Sequence, residues 1–442
     1  MFIRNRLSAW VRPVLWRAPS IALVLSLLFF SVALAASGSL DTTFSGDGRA
    51  NTDVNAAHRG RDDKAIGEAI QSDGKIVLAG YSTDDAASYD IALVRYNPNG
   101  SLDKTFSGDG RVITNLGALD QGFGVAIQPD GRIVVTGTRC TGAFPAACKL
   151  AVLRYNTNGT LDTTFNGTGH RLVAFKGGIG SSGGVVIQSD GKIVVSGTVF
   201  NGSDFDWAVI RLNSNGSMDT TFSGDGKQSI GFGPGSDDES GYGNDIAVQT
   251  DGKIVMGGGA HGDLAVARLN PNGTLDKTFS GDGRQTTDFG NNEFGWAVAL
   301  QSNGKILVAG NSDDGAGSSV MAVARYNPKG SLDLTFNGTG KQTVDFAGSS
   351  NESARSVVVQ SNGKILLAGA SENDGGDFAL ARLTAGGHLD ATFSGDGMTT
   401  IDFAGGFDIC RSIAIDSKGR YVLAGAVNTG TSTNFGAARV LP

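Results

Sequence analysis

Cysteine, histidine and proline are scarce in this 442-residue chain, which has three, four and nine of them. So few cysteines exclude a densely disulfide-stapled scaffold, and neither a CxxC pair nor a zinc-type Cys/His spacing occurs. The histidines His58, His170, His261 and His388 stand in unrelated contexts, without an HExxH pair. No P-loop occurs either. A G-x-S-x-G match at Gly180–Gly184 and a G-x-G-x-x-G match at Gly257–Gly262 both need a strand-to-helix setting, and long helical periodicity is also missing. With 67 glycines, such matches arise by chance. The expectation from motifs is therefore a protein that is not an enzyme.

Long apolar runs are absent except for one. Arg4, Arg6, Arg12 and Arg17 precede the mostly apolar segment Ile21–Ala35, which closes on Ala33-Leu34-Ala35, a small-x-small cleavage pattern. About 15 apolar residues fall short of the roughly 20 that span a bilayer. Residues 1–35 thus read as a signal peptide, with no stable membrane span after its removal. The product is exported and is periplasmic, cell-surface or secreted. Losing those four arginines leaves 32 of the 36 basic residues against 43 acids, a formal charge of −11. That balance speaks against nucleic-acid binding, which runs on clustered Lys and Arg. In an exported chain Cys140 and Cys148, flanking the insertion TRCTGAFPAACK, are expected to form a local disulfide, whereas Cys410 reads as a buried small hydrophobe.

What is abundant is repetition. LDTTFSGDGR at Leu40 returns at Leu102, Leu161, Met218, Leu275, Leu332 and Leu389, its Phe falling at 44, 106, 165, 222, 279, 336 and 393. Each copy is followed by a QSDGK-like turn, whose Gly is 74, 131, 191, 252, 304, 363 or 419. An apolar run closed by Arg comes next, at Arg95, Arg154, Arg211, Arg268, Arg325, Arg382 and Arg439. AIQSDGKIVLAG pairs two β-rich runs about an Asp-Gly, which predicts a type I′ hairpin. The Arg-closed run and the short run after the motif supply two more strands. Four strands per repeat, seven times over, predict an all-β fold over residues 36–442. The fold class is a seven-bladed β-propeller with four antiparallel strands per blade. Naming the strands a (RVITNLG), b (AIQ), c (KIVLAG) and d (ALVRY), the LDxTFSGDG segment is expected to join d of one blade to a of the next. The copy at Leu40–Gly48 then seals the ring, because none follows the last strand.

These motifs resemble those of the bacterial delta-60 repeat family over residues 40–442. The resemblance implies an exported or surface-associated, propeller-like array and brings no catalytic residues with it.

Antiparallel order puts the near-constant b–c and d–a connections on one face and the variable a–b and c–d loops on the other, where rigid frames commonly carry function. The variable loops are acidic: Asp84 and Asp85, Asp237, Asp238 and Glu239, Asp313 and Asp314, and Asp374 beside Glu372 are the candidate binding residues. Paired carboxylates offer the oxygen ligands Ca²⁺ takes, although solvation and turn formation are their commoner use. Otherwise no cofactor is implied. The motif aspartates Asp41, Asp103, Asp162, Asp219, Asp276, Asp333 and Asp390 are expected to take the seven strand-d arginines in two-pronged structural pairs. Trp207 and Trp296 read as exposed sugar platforms or, more commonly for such residues, as filling between blades. The leading functional expectation is a non-catalytic module that binds an extracellular protein or glycan through the acidic loops. The alternatives are an enzyme of hydrolase or lyase type at the central channel, and a purely structural surface module.

Overall fold

The computed structural model describes residues 36–55, 62–83, 88–233, 245–313, 315, 317–346, 351–372, 375–403 and 405–442. The leader lies outside them. Twenty-eight strands, β1–β28, form seven four-stranded antiparallel sheets arranged as the blades of a propeller. The all-β, seven-bladed expectation stands.

The blade boundary does not fall where the repeat suggests. In the first blade β2 (Asp63–Ile70), β3 (Ile76–Thr83), β4 (Tyr89–Tyr96) and β5 (Arg111–Thr114) pair in that order. The short run after the LDxTF motif is therefore the outermost strand of its own blade, and the motif loops back within the blade. Strand d and this run are held in register from Ile91↔Thr114 to Val94↔Arg111. The a–b loop, not the motif, crosses to the next blade.

Closure follows from the same rule. In the last blade β26 (Ile409–Ile415), β27 (Tyr421–Asn428) and β28 (Thr433–Val440) are completed by β1 (Arg49–Thr52), with Arg49 opposite Ala438 and Thr52 opposite Phe435. The first motif brings β1 to that edge, Leu40 bridging to Val440. An N-terminal strand thus fills the one edge the C-terminal strands leave open.

The b–c turn also differs from expectation. Gln71 N–H donates to the Lys75 carbonyl at 2.8 Å and Gly74 N–H to the Gln71 carbonyl at 2.8 Å, which makes a three-residue loop. Only Gly74, at φ 82°, is left-handed there. The residue before it needs no positive φ, so Asn303 and Lys418 serve in its place.

Packing is between blades. The seven motif phenylalanines are fully buried, and each is worth roughly 1.5–3 kcal/mol of burial. Phe44 joins Val422 and Ala424 of the last blade to Ala65 and Ile76 of the first.

Candidate functional site

The repeated arginine and aspartate meet in every blade. Arg95 Nε lies 2.8 Å from Asp103 Oδ2, and the equivalent distances are 2.8 Å for Arg154–Asp162, 2.6 Å for Arg211–Asp219 and 2.8 Å for Arg268–Asp276. They are 2.6 Å for Arg325–Asp333, 2.7 Å for Arg382–Asp390 and 2.8 Å for Arg439–Asp41. The contact has one prong rather than two. The second carboxylate oxygen is taken by a threonine, as where Thr221 N–H and Oγ1 donate to Asp219 Oδ1 at 3.1 and 2.6 Å. Meanwhile Arg211 Nη1 donates to the Pro271 carbonyl of the following blade at 2.5 Å, and its guanidinium covers the Phe222 ring. Burial pushes the Asp219 carboxyl up, but Thr221 and Arg211 outweigh it and bring the group down to about 2. This network spans the constant face.

Most of the acidic candidates, namely Asp84, Asp85, Asp237, Asp238, Glu239, Asp314 and Asp374, lie outside the described residues. Asp313 is described. Its N–H donates to the Asn292 carbonyl at 2.9 Å, and its carbonyl accepts from Asn291 at 3.0 Å. Instead the variable face gathers carboxylates that were not singled out, Asp263/Asp288/Glu293 and Asp377/Asp402/Asp408, each set holding its oxygens within 4.8 Å. The buried member of each set caps a loop: Asp408 Oδ2 accepts from Phe403 N–H at 3.0 Å, and Glu293 Oε2 from Phe289 N–H at 3.1 Å. Cys140 and Cys148 are disulfide-bonded at the base of their loop, and Cys410 is a buried free thiol.

The inner strands build a different site. These are β2, β6 (Leu119–Ile127), β10 (Ile179–Ile187), β14 (Asp245–Val248), β18 (Glu293–Leu300), β22 (Glu352–Val359) and β26. Pairing with the next strand slips between Ala65 and Gly67, Gly295 and Ala297, Ala354 and Ser356, and Cys410 and Ser412. Wider slips occur at Gly122/Val125 and Ser182/Val185. A β-bulge re-aims the unpaired residue. Counted back from the turn glutamine, the same column bulges each time: Ile66, Phe123, Gly183, Trp296, Arg355 and Arg411. All six line one central cavity of about 210 Å³, which every blade helps to wall.

Two acids share that cavity. Asp245 accepts from its neighbour Ile246 N–H at 2.8 Å and from Val298 N–H of the next blade at 3.1 Å. Burial pushes its carboxyl up to about 6 against those two amides. Glu68 stands in a column otherwise filled by Val125, Val185, Ile246, Val298, Val357 and Ile413. Both of its oxygens are closed to solvent. Burial raises this carboxyl well above the usual range, opposed by the Ala414 N–H.

Trp296 and Arg355 also belong to a second cavity of about 350 Å³ on the variable face, between the blades of β18, β22 and β26. The Arg355 guanidinium lies over the Trp296 ring at 3.7 Å. Trp296 Nε1 donates to Asn311 Oδ1 at 2.9 Å, and Arg355 Nε donates to Ser353 Oγ at 2.9 Å. Phe294 and Phe407, 43% and 44% exposed, flank the opening, where Asn351 donates to Glu372 at 2.6 Å. The two cavities share Trp296 and Arg355 in their walls, so the outer one on the face lies against the inner one at the axis. Trp207, in contrast, is fully buried and donates to the Gly259 carbonyl of the next blade at 3.1 Å. Motif reading missed the cleft because its residues are single departures within a repeat. An alignment of the seven inner strands on their glutamine would have exposed them.

Six segments, 71–106, 149–165, 188–222, 249–279, 301–336 and 360–393, match the model of a family described as a domain of unknown function (DUF5122) beta-propeller. A comparison with curated proteins gives no match. Among solved structures, polysaccharide lyase Uly1 is 14% identical, covering 85% of this chain and 90% of that one at a TM-score of 0.47. A PL25 ulvan lyase is 12% identical, covering 92% and 94% at 0.46. The GH93 α-L-arabinofuranosidase of Fusarium graminearum is 10% identical, covering 72% and 91% at 0.42. At such identities the likeness shows the fold alone. It nevertheless corrects the expectation that the chain is not an enzyme, because propellers of this shape include enzymes, and a missing short motif does not separate the two classes.

Proposed function

We propose that this β-propeller repeat protein, exported as its leader and its delta-60-like motifs suggest, takes a saccharide into the cleft between its fifth, sixth and seventh blades. The observation that supports this reading is the outer cavity, edged by Phe294, Phe407 and Trp296, that shares Trp296 and Arg355 with the wall of the axial one. Aromatic faces interleaved with fixed amide, hydroxyl and carboxylate groups suit a sugar ring, whose faces are apolar and whose edge carries hydroxyls. Phe294, Trp296 and Phe407 supply the faces; Asn311, Ser353 and Glu372 supply the polar groups.

A catalytic reading has its own support. Asp245 and Glu68 are buried acids held toward their protonated forms at the axial cavity, the property that general acid–base chemistry uses. A glycan array with residues 36–442 and with Trp296→Ala tests binding, and reducing-end release from every bound glycan tests turnover. Binding that disappears in Trp296→Ala supports the cleft. Binding that survives it unchanged removes the cleft from the account.

A further inference from the structure

The ligand class is written in the charge of the axial cavity, and the inference rests on the saccharide reading above. At the bulge column the first three blades carry Ile66, Phe123 and Gly183. Apolar and small residues therefore satisfy whatever the ring needs at that place. The sixth and seventh blades carry Arg355 and Arg411 at the identical step of their inner strands, and both line the same 210 Å³ space.

Two guanidinium groups brought to one small cavity cost desolvation and repel each other. The repeat's own arginine already performs the packing task in all seven blades, and these two are additions to it. They also invert the local sign. The chain carries a formal charge of −7, yet these two cations lie at its axis, and the acids beside them are held toward their neutral forms by burial. A pair of planar, permanently charged forks on adjacent strands suits a carboxylate or a sulfate ester. The hydroxyls of Ser356 and Ser412, each one residue after its arginine, line the same cavity and add short polar groups.

We propose that Arg355 and Arg411 together hold the acidic substituent of the bound saccharide, a uronate carboxylate or a sulfate ester, at the propeller axis, while its rings lie along Trp296 and Phe294.

Calorimetric titration of residues 36–442 with tetragalacturonate, a sulfated galactose tetrasaccharide and neutral cellotetraose tests this. The expected result is binding of at least one acidic tetrasaccharide about tenfold or more tighter than the neutral one, weakening as salt rises. Arg411→Gln and Arg355→Gln should each lose about tenfold for the acidic sugar, with Arg411→Lys recovering part of the loss. Retained melting temperatures establish that the variants fold. Equal binding of acidic and neutral sugars, with Arg411→Gln harmless, would keep the cleft and overturn the anionic class. Failure of all three sugars to bind would remove the saccharide reading and this inference with it.

Discussion

Asp219 illustrates how much one repeated residue carries. Replacing it with Ala leaves the buried Arg211 without its carboxylate and frees Thr221, so a loss of about 3 kcal/mol is expected in denaturant unfolding. An unchanged midpoint would show the pair to be idle. Acid should act on all seven such aspartates at once. Asp219 titrates at about 2 in the fold and near 3.9 when unfolded. Its stabilisation is therefore present above pH 4 and lost as pH falls through 2, and melting temperatures from pH 5 to pH 2 should fall steeply. Asp245 has the opposite sign. Raised to about 6, it contributes stability that is present below pH 4 and lost as pH rises through 6. Asp245→Asn should accordingly flatten the decline in melting temperature between pH 5 and pH 7, and an unaltered slope would contradict that burial.

At the scale of elements, β1 decides whether the ring is closed. A chain beginning at Val54 exposes the edge of β28, and we expect it to melt far lower and to self-associate in light scattering. Equal stability would mean the seam is closed by something else. Phe44→Ala tests the same seam more gently, at about 3–5 kcal/mol. Repeat spacing, strand number and the role of the first motif were legible because each repeat states them seven times. Where the blade begins was not legible, since a repeat can be cut at any phase without changing its period. That choice hangs on the pairing of Ile91 with Thr114, which no local pattern encodes. The bulges were hidden for a related reason. A slip at Arg355 leaves the sequence looking like ordinary strand, and only the pairing on both sides reveals which way its side chain turns.

Across the whole molecule, constancy and variation divide by face. The Arg–Asp–Thr–Phe network makes one face a frame, and the departures from the repeat collect on the other face and on the axis. The departures that matter are few: Glu68, Asp245, Trp296, Arg355 and Arg411 are residues of five different inner strands, brought to one cavity only by ring closure. Sequence reading singled out the variable face and its acidic loops, because runs of Asp are visible along the chain and convergence at an axis is not. The central claim is that ligand enters the cleft of the last three blades. Hydrogen–deuterium exchange of residues 36–442, saturated with the tightest-binding tetrasaccharide, tests it directly. Protection confined to the inner strands 293–300, 352–359 and 409–415 is the predicted result. Protection confined to the acidic loops at 84–87 and 234–244, with those strands unchanged, would contradict it.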